Sequence, residues 1–249
     1  RWNDWEALPR LTAGFVMDNG YAFESSYFYK DDLDTNVFTS DPGNVDMVIF
    51  GTPSAAFAPN YFQADLVSAS SSVAIQSGEL NMVETNGFIN FLFGFRWIEL
   101  QDRLRIHVQK GATLSSADVA TYNTLLGGQV GVRMNQRFGI FGVEGTAKAG
   151  MFLNVGRSHV TVTNAGAGLP NQTRVADGNS EAFMAEGELM ATYNPYIWLR
   201  ARFGWQIFLI QQTAMATDQL RQNNTTGTFL GERGDLIYHG PYGGLEFRW

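Results

Sequence analysis

Apolar and polar residues alternate with a period of two along most of the chain. After Arg137, Phe141, Val143, Gly145, Ala147, Ala149, Met151, Leu153 and Val155 share one face, and Glu144, Thr146, Lys148 and Asn154 take the other. Residues 196–212 repeat the arrangement: Ile197, Leu199, Ala201, Phe203, Trp205, Ile207 and Leu209 alternate with residues that include Arg200, Arg202 and Gln206. The run from Phe88 sets Ile89, Phe91, Phe93, Phe95 and Trp97 against Asn90, Gly94 and Arg96, and residues 181–193 set Phe183, Ala185, Leu189 and Ala191 against Glu186 and Glu188. A two-residue period is the signature of a strand, because successive side chains point to opposite faces.

The breaks between the runs alternate in kind. Asp18-Asn19-Gly20 and Thr85-Asn86-Gly87 are tight hairpin signals, since Asn-Gly tolerates the positive φ angles of a type I′ turn. Asn135-Gln136-Arg137 and Tyr193-Asn194-Pro195 read as further tight breaks. Long polar stretches lie near 31–63, 110–120, 164–180 and 213–234. Tight turns at one end and long loops at the other are the layout of an outer-membrane meander. Nine runs emerge, at 10–17, 21–30, 64–84, 88–108, 120–135, 137–163, 181–193, 196–212 and 235–249. An odd number does not close an all-antiparallel meander, so a further strand is expected either ahead of Arg1 or from Val45–Gly51. The expectation is a single domain over 1–249, an all-β antiparallel transmembrane up-and-down β-barrel of about 10 strands, with 12 as the alternative.

Composition sharpens this reading. Hydrophobic residues make up 45% of the 249 residues, aromatics 14% and charged residues only 16%, with 27 glycines. Such a chain can bury enough surface to fold, which excludes disorder. The longest strongly apolar uncharged run, Gly87–Phe95, is far short of the ~20 residues a spanning helix needs. The formal charge of −7 gives no general electrostatic case for nucleic acid. With no cysteine there is no disulfide, thiolate nucleophile or Cys-based metal site. The sequence opens on Arg1 without a visible signal peptide, as expected of a processed or N-terminally incomplete chain.

If the apolar faces meet lipid, the inward set is Arg10, Glu24, Arg96, Arg133, Glu144, Lys148, Glu186, Glu188, Arg200, Arg202, Glu246 and Arg248. The two signs are nearly balanced. Barrels of about eight strands are filled by side chains and aqueous channels appear at about sixteen, so these charges are expected to pair and plug the lumen. A narrow ion or small-solute path lined by Arg200/Arg202 and Glu186/Glu188 is the alternative, and a surface scaffold holding envelope proteins through its loops is another. A soluble lipocalin-like barrel would turn the aromatic faces inward instead. A hydrolase has thin support: the histidines are His107, His159 and His239, with Asp235 and Ser158 near two of them, and no nucleophile elbow, zinc-binding His pair or P-loop is legible. No enzyme activity, cofactor or metal is expected. Arg233-Gly234-Asp235 and the glycosylation-type triplets at Asn171, Asn223 and Asn224 read as chance.

Several segments carry a family likeness. The chain ends Gly244-Leu245-Glu246-Phe247-Arg248-Trp249, where Gly244, Phe247 and the terminal aromatic Trp249 resemble the signal read by the outer-membrane barrel-assembly machinery. That ending resembles the β-barrel porin-7 family, a planctomycete-type group of outer-membrane barrels. So do Arg10–Phe15 running through Phe23–Phe28, Phe93–Leu100 and Gly128–Arg133, and the segments fall in family order. The resemblance implies a bacterial outer-membrane location with a structural or porin-like role. Lipid and the assembly machinery are the implied partners, with other envelope proteins or like copies as further ones. It carries over no catalytic residue.

Overall fold

The computed structural model describes residues 9–45, 61–85, 87–165, 171–221, 230–231 and 233–248. Strands β1 (Arg10–Val16), β2 (Tyr21–Val45), β3 (Ala64–Glu84), β4 (Ile89–Lys110), β5 (Thr113–Phe138), β6 (Phe141–Thr163), β7 (Gln172–Tyr196), β8 (Leu199–Thr213) and β9 (Gly234–Phe247) follow one another, with one short helix, α1 (Ala216–Arg221), between the last two. They form a nine-stranded sheet in which every neighbouring pair is consecutive and antiparallel.

Each expected run corresponds to one of these strands, and three of them are longer than expected. Residues 31–45, 113–119 and 172–180, read as loop because they are polar, continue β2, β5 and β7. The break expected at Asn135-Gln136-Arg137 lies inside β5, and the chain turns instead at Gly139, whose φ of 66° suits glycine. Likewise Tyr193-Asn194-Pro195 lies inside β7, where the ladder to β8 shifts register between Tyr193 and Tyr196. The Asn19-Gly20 turn is as expected, with Gly20 at φ 83°. Of the candidate extra strand, Val45 ends β2 and 46–51 lie outside the described residues, as do Asn86 and Trp249.

The outward face of the sheet changes character along its length. In β4 the outward positions run Ile89, Phe91, Phe93, Phe95 and Trp97, then Glu99, Gln101, Arg103, Arg105, His107 and Gln109. In β6 they run from Phe141 to Val155 as apolar or small residues, then Arg157, His159 and Thr161. An apolar band therefore covers the end with the short turns, and a polar surface covers the other. Aromatics concentrate at the margin near the turns: Phe141 stacks on Tyr193 at 5.3 Å, Tyr196 on Trp198 at 5.3 Å and Trp198 on Phe247 at 6.4 Å.

The inward face is enclosed. Phe28 of β2 meets Phe208 of β8 edge to face, with centroids 6.2 Å apart. Arg10 of β1 reaches Glu186 of β7 at 2.9 Å and lies 5.6 Å from the ring of Tyr242 in β9. Side chains from strands distant in the sheet order thus touch across the concave side of a strongly curled sheet. No ladder joins β1 to β9 among the described residues.

Candidate functional site

Three layers fill the interior. The first, beneath the apolar band, is ionic. Strand pairing sets Glu79 directly opposite Arg96, Lys148 opposite Glu186 and Arg200 opposite Glu246. Opposite charges facing each other across a ladder stabilise the pair and its register. Further bonds cross the interior between strands that are not neighbours. Arg10 donates to Glu186 at 2.9 Å and Glu188 at 2.6 Å, Arg96 to Glu186, and Lys148 to Glu79 at 2.9 Å. Nearer the short turns, Arg133 grips Glu24 with both terminal nitrogens at 2.7 and 2.8 Å. Arg200 donates to Glu144 at 3.2 Å, Arg202 to Glu246, and Arg248 to Glu246 at 2.7 Å.

All twelve residues expected to point inward take part in this network. Glu79 completes it and escaped the sequence reading, although it alternates with the outward Leu80 and shares a face with Ser77 and Asn81. Gln129 is a further member, donating to Glu79 at 2.8 Å and Asn81 at 2.6 Å. Gly94 makes room for them, since a Cβ there would collide with the Asn81 amide. Arg96, 1% exposed, also lies 4.9 Å from the Phe208 ring and 5.7 Å from Phe28. Those rings belong to the next layer, so the arginine joins the ionic and apolar parts of the interior.

The second layer is dry. Phe28, Ile75, Ile98, Leu100, Leu125, Phe152, Met184, Phe208 and Ile210 pack as one buried cluster. Ile98, Leu100, Leu125, Met184 and Ile210 are each 0% exposed. The sheet interior is thus crossed by closely packed hydrocarbon above its ion pairs.

The third layer closes the far end. The chain after β8 turns inward rather than outward, so this part of the 213–234 stretch is not the exposed loop expected. Asn123 holds the Ala214 backbone from both sides, accepting from its N–H and donating to its carbonyl at 2.8 Å each. Asp102 accepts the Ala216 N–H at 2.8 Å. Gln219 of α1 ties the returning chain at Gly231, donating to its carbonyl at 2.7 Å. Beyond the apolar band, Ile106, Val108, Ala117, Val119, Val160 and Val162 form a second apolar cluster with Ala216 and Tyr61. Burial raises the Asp102 carboxyl above its usual range, opposed by the Ala216 N–H bond and helped by the Asp218 charge. Asp102 and Asn123 carried no sequence signal, because their partner is backbone from a distant segment.

The remaining candidates do not assemble into a reactive site. Ser158 is buried inside whereas His159 is on the outer face, bonded to Thr161 at 3.3 Å. His239 lies on the outer face against Trp205. Among the described residues no three His, Asp or Glu side chains are grouped to hold a metal ion. Gly244 and Phe247 lie in β9, Gly244 paired with Arg202 and Phe247 with Leu199. No family model, curated protein or solved structure matches the chain.

Proposed function

We propose that this chain is a self-filled β-barrel of a bacterial outer membrane, of the β-barrel porin-7 type, serving as a structural element of the envelope. The observation that carries the reading is the inversion of surface and interior over one half of the sheet. Phe91, Phe93 and Phe95 stand 53–55% exposed outside, while the salt bridges are shut inside. In water this arrangement is unfavourable, since contiguous exposed apolar patches larger than a few hundred Å² are rare on soluble monomers. Facing lipid, the same band costs nothing, and aromatics at its margin fall at the headgroup level. A lipocalin-like carrier requires the opposite arrangement.

In this reading the polar half of the sheet stands clear of the membrane with its own apolar core, capped by α1. Ion pairs pin the register of the embedded half, and the hydrocarbon layer above them denies water a continuous path. The role is therefore anchorage and display rather than transport. Liposome flotation with purified protein tests the placement: the barrel stays with the vesicles through carbonate and urea washes. Protein that remains soluble and monodisperse without detergent would contradict it.

A further inference from the structure

We infer that residues 214–221 form a latch, docked inside the curled sheet at acid pH and released to solvent as pH rises, with Asp102 as the group that titrates. The latch lies in the polar half of the sheet, so it operates whether or not lipid surrounds the other half.

The segment enters the interior through a local break in the last strand pair. The ladder between β8 and β9 shifts between Ile210 and Thr213, and Gln212 stands in the left-handed region at φ 62°. A residue with a side chain holds that conformation only where surrounding contacts impose it. Beyond Thr213, which pairs with Gly234, Ala214 and Ala216 are 0% exposed. Met215 rests on the dry layer, and Ala216 belongs to the apolar cluster beyond it. Among the described residues, the polar ties from this segment to the strands around it are those of Asn123 to Ala214 and of Asp102 to the Ala216 N–H.

Asp102 is the weak point of this mooring. It is 4% exposed, its carboxylate accepts the Ala216 N–H, and among the described residues no cation bridges it. Across the ladders it is flanked by Val73 on one side and by Thr121 and then Ser158 on the other, none of them charged. Asp218 of α1 adds a second negative charge. The cations on the same inward side, Lys30 of β2 and Arg174 of β7, pair with Ile75 and Val160 in the rows to either side. A carboxylate buried without a counter-ion is disfavoured against the same group in water. Burial accordingly raises the Asp102 carboxyl, with the Ala216 N–H opposing and Asp218 adding to the rise. A group that holds its proton more tightly when docked favours docking at acid pH, and that support is lost as pH rises through its docked value. Ionised Asp102 regains water only when the segment moves away, which couples the charge to the latch. Ile98, Leu125 and Phe152 of the dry layer belong to strands, so release leaves the seal beneath in place.

Amide hydrogen exchange on the full chain between pH 4 and pH 8, corrected for the intrinsic rate, tests the latch. Protection at residues 214, 216 and 218 should fall at least about threefold across that range, while residues 98–101 of β4 and 122–125 of β5 keep theirs. Asp102→Asn, neutral throughout, holds the protection of the segment constant. Asp218→Asn, a change outside the strands, moves the fall to higher pH and decides the matter if Asp102→Asn does not fold. Protection that is flat in the parent, or that rises with pH as it would if a cation paired with Asp102, overturns the inference. So does an Asp102→Asn protein that keeps the parent's fall, an Asp218→Asn protein whose midpoint is unmoved, or loss of protection in β4 and β5 in step with the segment.

Discussion

Replacing Glu186 with Gln perturbs the centre of the ionic layer while keeping its shape. Glu186 accepts from Arg10 at 2.9 Å and from Arg96, and lies 3.5 Å from the Lys148 ammonium, with its side chain 1% exposed. Around it Arg10, Arg96 and Lys148 face Glu79, Glu186 and Glu188, so the layer is balanced. The substitution leaves three cations against two carboxylates in a space that excludes water. Breaking a buried pair by removing one partner typically costs about 3–5 kcal/mol. Gln retains an acceptor oxygen for one of the arginines, so the expected loss is about 2–4 kcal/mol. The double variant Glu186→Gln/Lys148→Met restores two against two. It should be more stable than the sum of its single changes by at least about 1 kcal/mol, the size of coupling expected for groups in contact. Reversible urea unfolding in lipid vesicles, followed by tryptophan emission, measures both quantities. A Glu186→Gln protein within about 0.5 kcal/mol of the parent, the usual range for surface changes, would refute an ion-paired interior. Strict additivity in the double variant would do the same.

Other changes probe the remaining layers. Phe203→Arg places a charge on the outward apolar band and should cost about 2–4 kcal/mol in lipid, and near-neutral behaviour there would sink the assignment of that face. Phe152→Ala opens the dry layer and should lower unfolding stability by about 3–5 kcal/mol, as for other buried phenylalanines. Asp102 binds its proton more tightly in the folded protein than in the unfolded chain, so the stability it contributes is present below the ordinary carboxylate range and lost as pH rises through its folded value. Asp102→Asn keeps an acceptor for the Ala216 N–H and stays neutral, so stability should fall less between pH 4 and pH 8 than in the parent. Identical pH profiles for the two proteins would contradict this.

The order of strands and the faces they present were legible because period-two alternation survives wherever one side of a strand meets hydrocarbon. Arg200, Arg202, Glu186 and Glu188 could be placed inside from their apolar neighbours alone. Where polar residues stand on both faces, at Thr35–Ser40 or Gln172–Ser180, contrast between the faces fades and strand reads as loop. Glu79 shows the same limit at a single residue, because serines and glycine around it blur the alternation of β3. The inward fold of Ala214–Arg221 could not be read from sequence, since it depends on Asn123 and Asp102, both more than ninety positions away. Partners of individual charges were likewise hidden, because links such as Arg10 to Glu188 depend on how the sheet curls.

The central claim, a barrel that lipid surrounds and that its own side chains seal, is tested most directly by single-channel recording from the purified protein in a planar bilayer. Insertion is established in parallel by flotation and by protection of the apolar band from protease. The account predicts a silent membrane, because Ile98, Leu125, Phe152, Met184 and Ile210 leave hydrocarbon across the path. Steady ohmic steps from folded, inserted protein would contradict it and make the luminal Arg and Glu rows the lining of a pore.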